Sequence, residues 1–346
     1  MTDEWLVWAA ESLLAGVPHR EVVQTLVDRA ALSRSRARLL VHRMRRSPAL
    51  RAGDRTAQHL RKLESLLDAL EAVRRAAPGA DGVPHRRGLT RDAFLAEHYA
   101  ANRPVLLEDF AAAWPALGGW TPESLRDKVG DELVEIMSGR DGDRRPEVNQ
   151  EDHRTTVRFA DYVDLVLDAA GSNDAYLVAN NHFFDRPGTR PLLDEIVVDP
   201  AYFDPDSAAG NTFFWFGPAG TVTPLHHDVE NVMLVGVHGA KDVTLVSPLQ
   251  SHRVSNLYSV YSEVDTENPD PHRHPRFAGV TPLRVRLPAG AALFIPVGWW
   301  HRVEAVETSI SVSLINFAFP NSFHWALPDL DPAADEETDR VTDLAR

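Results

Sequence analysis

Along the first quarter of the chain, apolar residues recur every three or four positions. Trp5, Leu6, Trp8, Ala9, Leu13 and Leu14 form one such set, and Gly16-Val17-Pro18 ends it. Residues so spaced share a helix face, so the pattern predicts a helix. A second helix is predicted from about Pro18 to Ala31, with Val22, Val23, Leu26 and Val27 apolar. Ser33 is placed to cap a third, which carries Leu39, Leu40 and Met44 and stops at Ser47-Pro48. A longer fourth helix sets Leu60, Leu63, Leu66, Leu67, Leu70 and Val73 on one stripe. The expected unit is a helical N-terminal domain over residues 1–76, for docking or dimerisation.

Residues 77–89 are rich in Pro, Gly and Ala and read as a linker. Helix and strand signals then alternate. Thr90-Arg-Asp-Ala-Phe resembles a capped helix, Asn102–Leu107 and Leu133–Met137 read as strands, Phe159–Ala169 as a helix and Ala175–Ala179 as a strand. From residue 211 the chain is dominated by short strands: Phe213–Phe216, Val222–Val229, Val232–His238, Asp242–Val246, Leu283–Leu287, Ala292–Ile295 and Ser309–Phe317. Gly239-Ala240 suits a tight hairpin. Many short strands with turn signals predict a mainly β fold, a jelly roll with flanking helices over 90–328. The tail 329–346 is acidic and reads as loose.

Charge sharpens this division. The chain has 36 basic and 50 acidic residues, a net charge of -14. Residues 29–75 hold thirteen basic and four acidic residues, a net of +9, so the remainder carries -23. The basic helices read as solvated faces, or as a docking surface for an acidic partner, a substrate segment or the acidic body of a second subunit. Nucleic acid is the weaker option, because the rest of the surface repels it. Without cysteine, disulfides, thiolate metal sites and cysteine nucleophiles are excluded. No apolar run is long enough to span a membrane, and the N-terminus lacks secretory features. A cytoplasmic protein is expected.

The chemistry concentrates at His226-His227-Asp228 and His301. On a strand His226 and Asp228 point one way and His227 the other. The alternative set with His227 would turn Asp228 away. His301 follows Gly298-Trp299-Trp300, a turn between two apolar runs, with the tryptophans expected to pack and fix it. Two imidazoles and a carboxylate with open positions form the facial triad of Fe(II) oxygenases. If such a site uses 2-oxoglutarate, Lys241 is the natural cation for the distal carboxylate, on a strand able to pair beside that of His226. Thr223 falls on the wrong alternation for the site unless a bulge near Pro224 turns it inward. His272 and His274 look like a second metal pair but read as loop residues, and Asn180-Asn181 suits a turn or a substrate contact.

Thr223-Pro-Leu-His-His-Asp, Lys241, and Gly290-Ala-Ala-Leu-Phe-Ile-Pro-Val-Gly-Trp-Trp-His301 together resemble the JmjC-type, cupin-like hydroxylases, over roughly residues 90–325. The familiar pattern they approach is the asparaginyl hydroxylase that inhibits hypoxia-inducible factor, with its bacterial cupin-like relatives. The resemblance implies a double-stranded β-helix core. It implies that His226, Asp228 and His301 bind Fe(II), that Lys241 and Thr223 hold 2-oxoglutarate, and that Tyr176 stands beside the same carboxylate. It implies an O2-dependent hydroxylase of a protein or peptide side chain, releasing succinate and CO2. Two departures touch the co-substrate pocket: Asn231 sits one position early, and Ser313 stands in the terminal strand where Val-Asn-Phe is common, with Asn316 displaced. A small-molecule substrate, a cupin that ignores 2-oxoglutarate, and a catalytically silent binding module stay open as alternatives. N-methyl-lysine demethylation is disfavoured for want of an evident aromatic cage, and homodimerisation stays open for the helical domain.

Overall fold

The structure is a computed structural model that describes residues 3–169, 171–178, 182–208 and 210–323. Two compact units divide between Val73 and Arg74. Asn180, Asn181 and the tail 329–346 lie outside the described residues.

The helices of the first unit are α1 (Asp3–Leu14), α2 (His19–Asp28), α3 (Arg34–Arg46) and α4 (Pro48–Arg75), the last two residues of α4 falling in the second unit. Ser33 caps α3, its hydroxyl accepting from the Arg36 N–H. Helix α2 stops short of the expected end, and the chain turns at Ala31, whose φ of 52° no helix tolerates. Trp5, Ala9, Val22, Val23, Leu26, Ala37 and Val41 form the core of this unit. All come from α1–α3. The predicted stripe on α4 is real but is not part of that core.

The second unit is built on β1 (His85–Arg86), β2 (Val105–Leu107), β3 (Leu133–Met137), β4 (Arg154–Arg158), β5 (Thr212–Gly217), β6 (Val222–His226) and β7 (Val232–His238). It continues with β8 (Ala240–Val246), β9 (Asn256–Tyr258), β10 (Tyr261–Ser262), β11 (Leu283–Pro288), β12 (Ala292–Ile295), β13 (Trp300–Ala305) and β14 (Ser309–Leu314). One six-stranded sheet runs β1-β2-β12-β7-β14-β5 and the other β11-β8-β13-β6-β10-β9, with β3 and β4 as a separate pair. Leu234 and Leu293 from the first sheet meet Val243, Leu245 and Leu287 from the second in one buried cluster. Each such side chain contributes about 1.5–3 kcal/mol on burial. A larger aromatic cluster covers the first sheet's other side, where Phe159 and Tyr162 from helix Phe159–Asp168 meet Phe214 and Phe216 of β5. This is the jelly roll that the strand pattern predicts.

Two expectations about connections fail for one reason. Strand β7 already pairs with β12 on one edge and β14 on the other, so β8 cannot close a hairpin with it. The chain instead crosses at Gly239 into the opposite sheet, where β8 pairs with β11 and β13. A Cβ at Gly239 would lie 2.2 Å from the Thr308 carbonyl oxygen, and its φ is +67°, so glycine is required. Lys241 is consequently one strand removed from His226, with β13 lying between β8 and β6.

Candidate metal centre

His226 ends β6, Asp228 follows it, and His301 lies directly opposite His226 in the β6–β13 register. One ligand atom from each lies within 4.8 Å of the others, with His301 Nε2 3.5 Å from Asp228 Oδ2. The Nδ1–H of His226 donates to the Pro224 carbonyl at 2.8 Å and that of His301 to Trp299 O at 3.0 Å. Both bonds fix the tautomer and leave Nε2 as a lone-pair donor, the arrangement a bound metal requires. Both imidazoles are nearly buried, while the Asp228 side chain is 37% exposed, so the site opens on the carboxylate side. The donor set and orientation therefore fit a divalent transition metal. His227 points away and packs edge-on against Trp300 at 4.6 Å.

The turn before His301 is held from several directions. Gly298, with φ +79°, donates its N–H to Asp228 O. Trp299 Nε1 donates to Asn102, and Trp300 Nε1 to Ser251 Oγ. Burial, and secondarily the neighbouring His226, lowers the His301 pKa from 6.5 to about 4. A neutral ligand at pH 7 follows. Between those values the unfolded chain binds a proton that the metal-free fold refuses. Stability is thus complete above pH 6.5 and falls as pH drops toward 4, by roughly 3 kcal/mol. Urea midpoints at pH 7.5 and 4.5 should show this loss, and His301→Gln should show a flatter dependence.

The site opens into a cavity of about 260 Å³ lined by Tyr176, Thr223, Lys241 and Ser313 as well as the three metal-site residues. Lys241 is buried and its Nζ donates to the Tyr176 hydroxyl at 3.0 Å. Thr223 reaches the cavity because β6 bulges: His226 and Thr223, three apart, face His301 and Val303, two apart. That irregularity at Pro224 and Leu225 puts both side chains on one face. Ser313 Oγ accepts from Trp215 Nε1 at 2.6 Å.

Asn231 is different: it lies off the cavity wall. Its Oδ1 accepts from the Val297 N–H and its Nδ2 donates to Asn321, so its amide clamps the strand end before the His301 turn. Its expected place in the co-substrate pocket is therefore corrected to a structural one. Likewise, His274 bonds Ser255 Oγ, and among the described residues only His226, Asp228 and His301 form a metal-capable group.

The sequence reading missed another part of the lining, Glu147, Gln150 and Tyr261. The Tyr261 ring lies 5.7 Å from that of His226. Behind Glu147 is Arg140, wholly buried, whose Nη2 bonds Glu147 Oε1 at 2.7 Å and Val222 O at 2.8 Å. The pair thus braces the strand just before Thr223. Arg140→Met should cost about 3–5 kcal/mol, because it strands a buried carboxylate. Thermal denaturation would measure it, and adding Glu147→Leu should recover most of the loss.

A jelly roll carrying an open two-histidine, one-carboxylate site at a strand end defines the cupin class of protein. The chain belongs to the cupin-like domain family, whose sequence profile matches residues 91–323. It is 31% identical to the Xenopus tropicalis protein named lysine-specific demethylase 8 over 225 residues, 63% of this chain and 49% of that protein. It is 28% identical to lysine-specific demethylase JMJ30 of Arabidopsis thaliana over 240 residues, 67% of this chain and 54% of that one. With the tRNA wybutosine-synthesizing protein 5 of Gallus gallus it shares 28% identity over 250 residues, covering 67% and 76%. The chain spans about half the length of the first two relatives. No helix among the described residues is long and apolar enough to cross a membrane.

Proposed function

We propose that this chain is an Fe(II)- and 2-oxoglutarate-dependent oxygenase that oxidises an amino-acid side chain of a protein or peptide. The carrying observation is that one cavity joins His226, Asp228 and His301 to the buried Lys241–Tyr176 pair. When bound, Fe(II) with 2-oxoglutarate and O2 supplies oxidation of a substrate C–H bond, with release of succinate and CO2. The protein's part is positioning. Lys241 offers a desolvated cation to the distal carboxylate, a strong charge-assisted bond. Tyr176, whose oxygen accepts from Lys241, keeps its own O–H proton to donate, and Thr223 and Ser313 offer hydroxyls beside it. Val178, Leu234, Ile295, Val303 and Ile315 form apolar wall that excludes water. The exposed side of Asp228 marks where substrate approaches, past Tyr261 and Glu230.

The demethylase names of two relatives favour an amino-acid side chain over a free small molecule. On an ordinary C–H the product is an alcohol; on an N-methyl group the same oxidation releases formaldehyde. Incubation with a peptide library, Fe(II) and 2-oxoglutarate tests this by mass spectrometry. A peptide gaining one oxygen, or losing a methyl, supports the reading. Succinate formation that no peptide stimulates but a small metabolite does would move the substrate to that class.

A further inference from the structure

Helices α1–α3 form a small unit that the metal centre does not use. Helix α2 is capped at Arg29 and α3 at Ser33, so only Ala30-Ala31-Leu32 joins the caps. Ala31 turns the chain in the left-handed region, at φ 52°, and Leu32 returns its N–H to the Leu26 carbonyl. Val22, Val23 and Leu26 of α2 then close on Ala37 and Val41 of α3, with Trp5 and Ala9 of α1 completing the core. Two packed helices joined by a three-residue turn and backed by a third have the build of a helix-turn-helix.

Charge is sorted between these helices. Helices α1 and α2 together carry five acidic residues and one arginine, while α3 carries six arginines and no acid. Ala37, Leu40, Val41 and Met44 turn α3 toward the core. At 3.6 residues per turn, Ser35, Leu39, His42 and Arg46 lie on the opposite side, and all four are exposed. Arg38 and Arg45 border one edge of this strip, and Arg36 and Arg43 border the other. All four bordering arginines are exposed, and among the described residues none of their side chains has an ion pair or hydrogen bond. Solvated helix faces usually interleave both signs of charge. A strip between two rows of arginines instead matches a duplex groove, with base edges on the floor and phosphates on both rims. The 13 residues of α3 span about 20 Å, and the major groove of B-DNA, about 12 Å wide, admits a helix.

We propose that α3 is a recognition helix and that the α1–α3 unit binds double-stranded DNA. Arg36, Arg38, Arg43 and Arg45 contact phosphates on the two rims, and Ser35, His42 and Arg46 face the base edges. The net negative charge of the rest of the chain is compatible with this, because charges more than about 8–10 Å from the groove are screened at physiological salt. This function is separate from the oxygenase reading and can fail or hold without it.

The test uses the full chain and a fluorescent DNA duplex of mixed sequence, about two helical turns long, read by anisotropy. Binding is expected with a dissociation constant of about 10⁻⁶–10⁻⁴ M at physiological salt, and four phosphate contacts should weaken it about 100-fold between 50 and 200 mM salt. Replacing all four (Arg36→Gln, Arg38→Gln, Arg43→Gln and Arg45→Gln) should cost at least ~10-fold at low salt and flatten the salt dependence, with helical circular dichroism unchanged. The four matching Arg→Lys changes keep the charge and should keep most of the affinity. The same duplex made of RNA should bind several-fold more weakly, because its deep, narrow major groove shuts the helix out. No DNA binding at 50 mM salt, or affinity that the Gln set leaves unchanged, would overturn the proposal. A Lys set as weak as the Gln set would remove the phosphate contacts. RNA bound as tightly as DNA would overturn the groove assignment in favour of RNA, and poly-glutamate bound as tightly would leave only a surface for acidic partners.

Discussion

His226→Ala is expected to bring iron-dependent turnover to background and to weaken divalent-metal binding by more than about 100-fold, since even loss of a partner behind a metal ligand typically costs 10–100-fold. His226 sits opposite His301 in the sheet, and its Nδ1–H is committed to Pro224, so only Nε2 can serve a metal. Removing it leaves Asp228 and His301, with no third member of the metal-capable group among the described residues. The informative control is His227→Ala. That ring packs on Trp300 and lies outside the metal-capable group, so the variant should lose some stability but keep metal affinity. Calorimetric titration with Mn(II) on both variants separates the outcomes. Equal metal affinity in wild type and His226→Ala would remove His226 from the site.

Lys241→Ala should raise the dissociation constant for 2-oxoglutarate by between ~30-fold and several thousand-fold, the range implied by about 2–5 kcal/mol for truncating one partner of a buried charge pair. Lys241 is 3% exposed and its one described partner is the neutral Tyr176 hydroxyl. The side chain lines the same cavity as the metal-capable group, where the proposed co-substrate's distal carboxylate would meet it. Turnover at saturating 2-oxoglutarate should fall much less than affinity, because in the proposed reading Lys241 would act on the co-substrate's far end. Tyr176→Phe, which removes one hydroxyl, should cost closer to tenfold. Unchanged 2-oxoglutarate affinity in Lys241→Ala would assign the lysine to packing alone.

Much of the fold was readable because its signals are local. Ser33 caps α3, β11 and β14 alternate polar and apolar residues, and the Gly298 turn presents His301, all from nearby residues. The candidate metal-site residues were readable as a group because His-x-Asp keeps two donors close together, although β6 ends at His226, short of the expected Val229, and Asp228 lies just beyond the strand. Thr223 shows the limit. Strict alternation turns it away, and only the β6–β13 register reveals the bulge that turns it back. The hairpin expected at Gly239 failed because strand order depends on which edges are already paired. Nothing in the local sequence marked Arg140 and Glu147. Their pairing, seven residues apart, is decided by burial against Val222 on a distant strand. Asn231 lay one residue from the expected position, and the Asn321 and Val297 contacts that occupy its amide are set by tertiary structure.

The most direct test of the central claim is succinate formation from 2-oxoglutarate by the wild-type chain, in air with added Fe(II), alongside anaerobic binding of 2-oxoglutarate to the metal-loaded protein. The account predicts succinate that depends on iron and oxygen, and saturable binding that weakens in Lys241→Ala. Metal-loaded protein that neither binds 2-oxoglutarate nor forms succinate would contradict it.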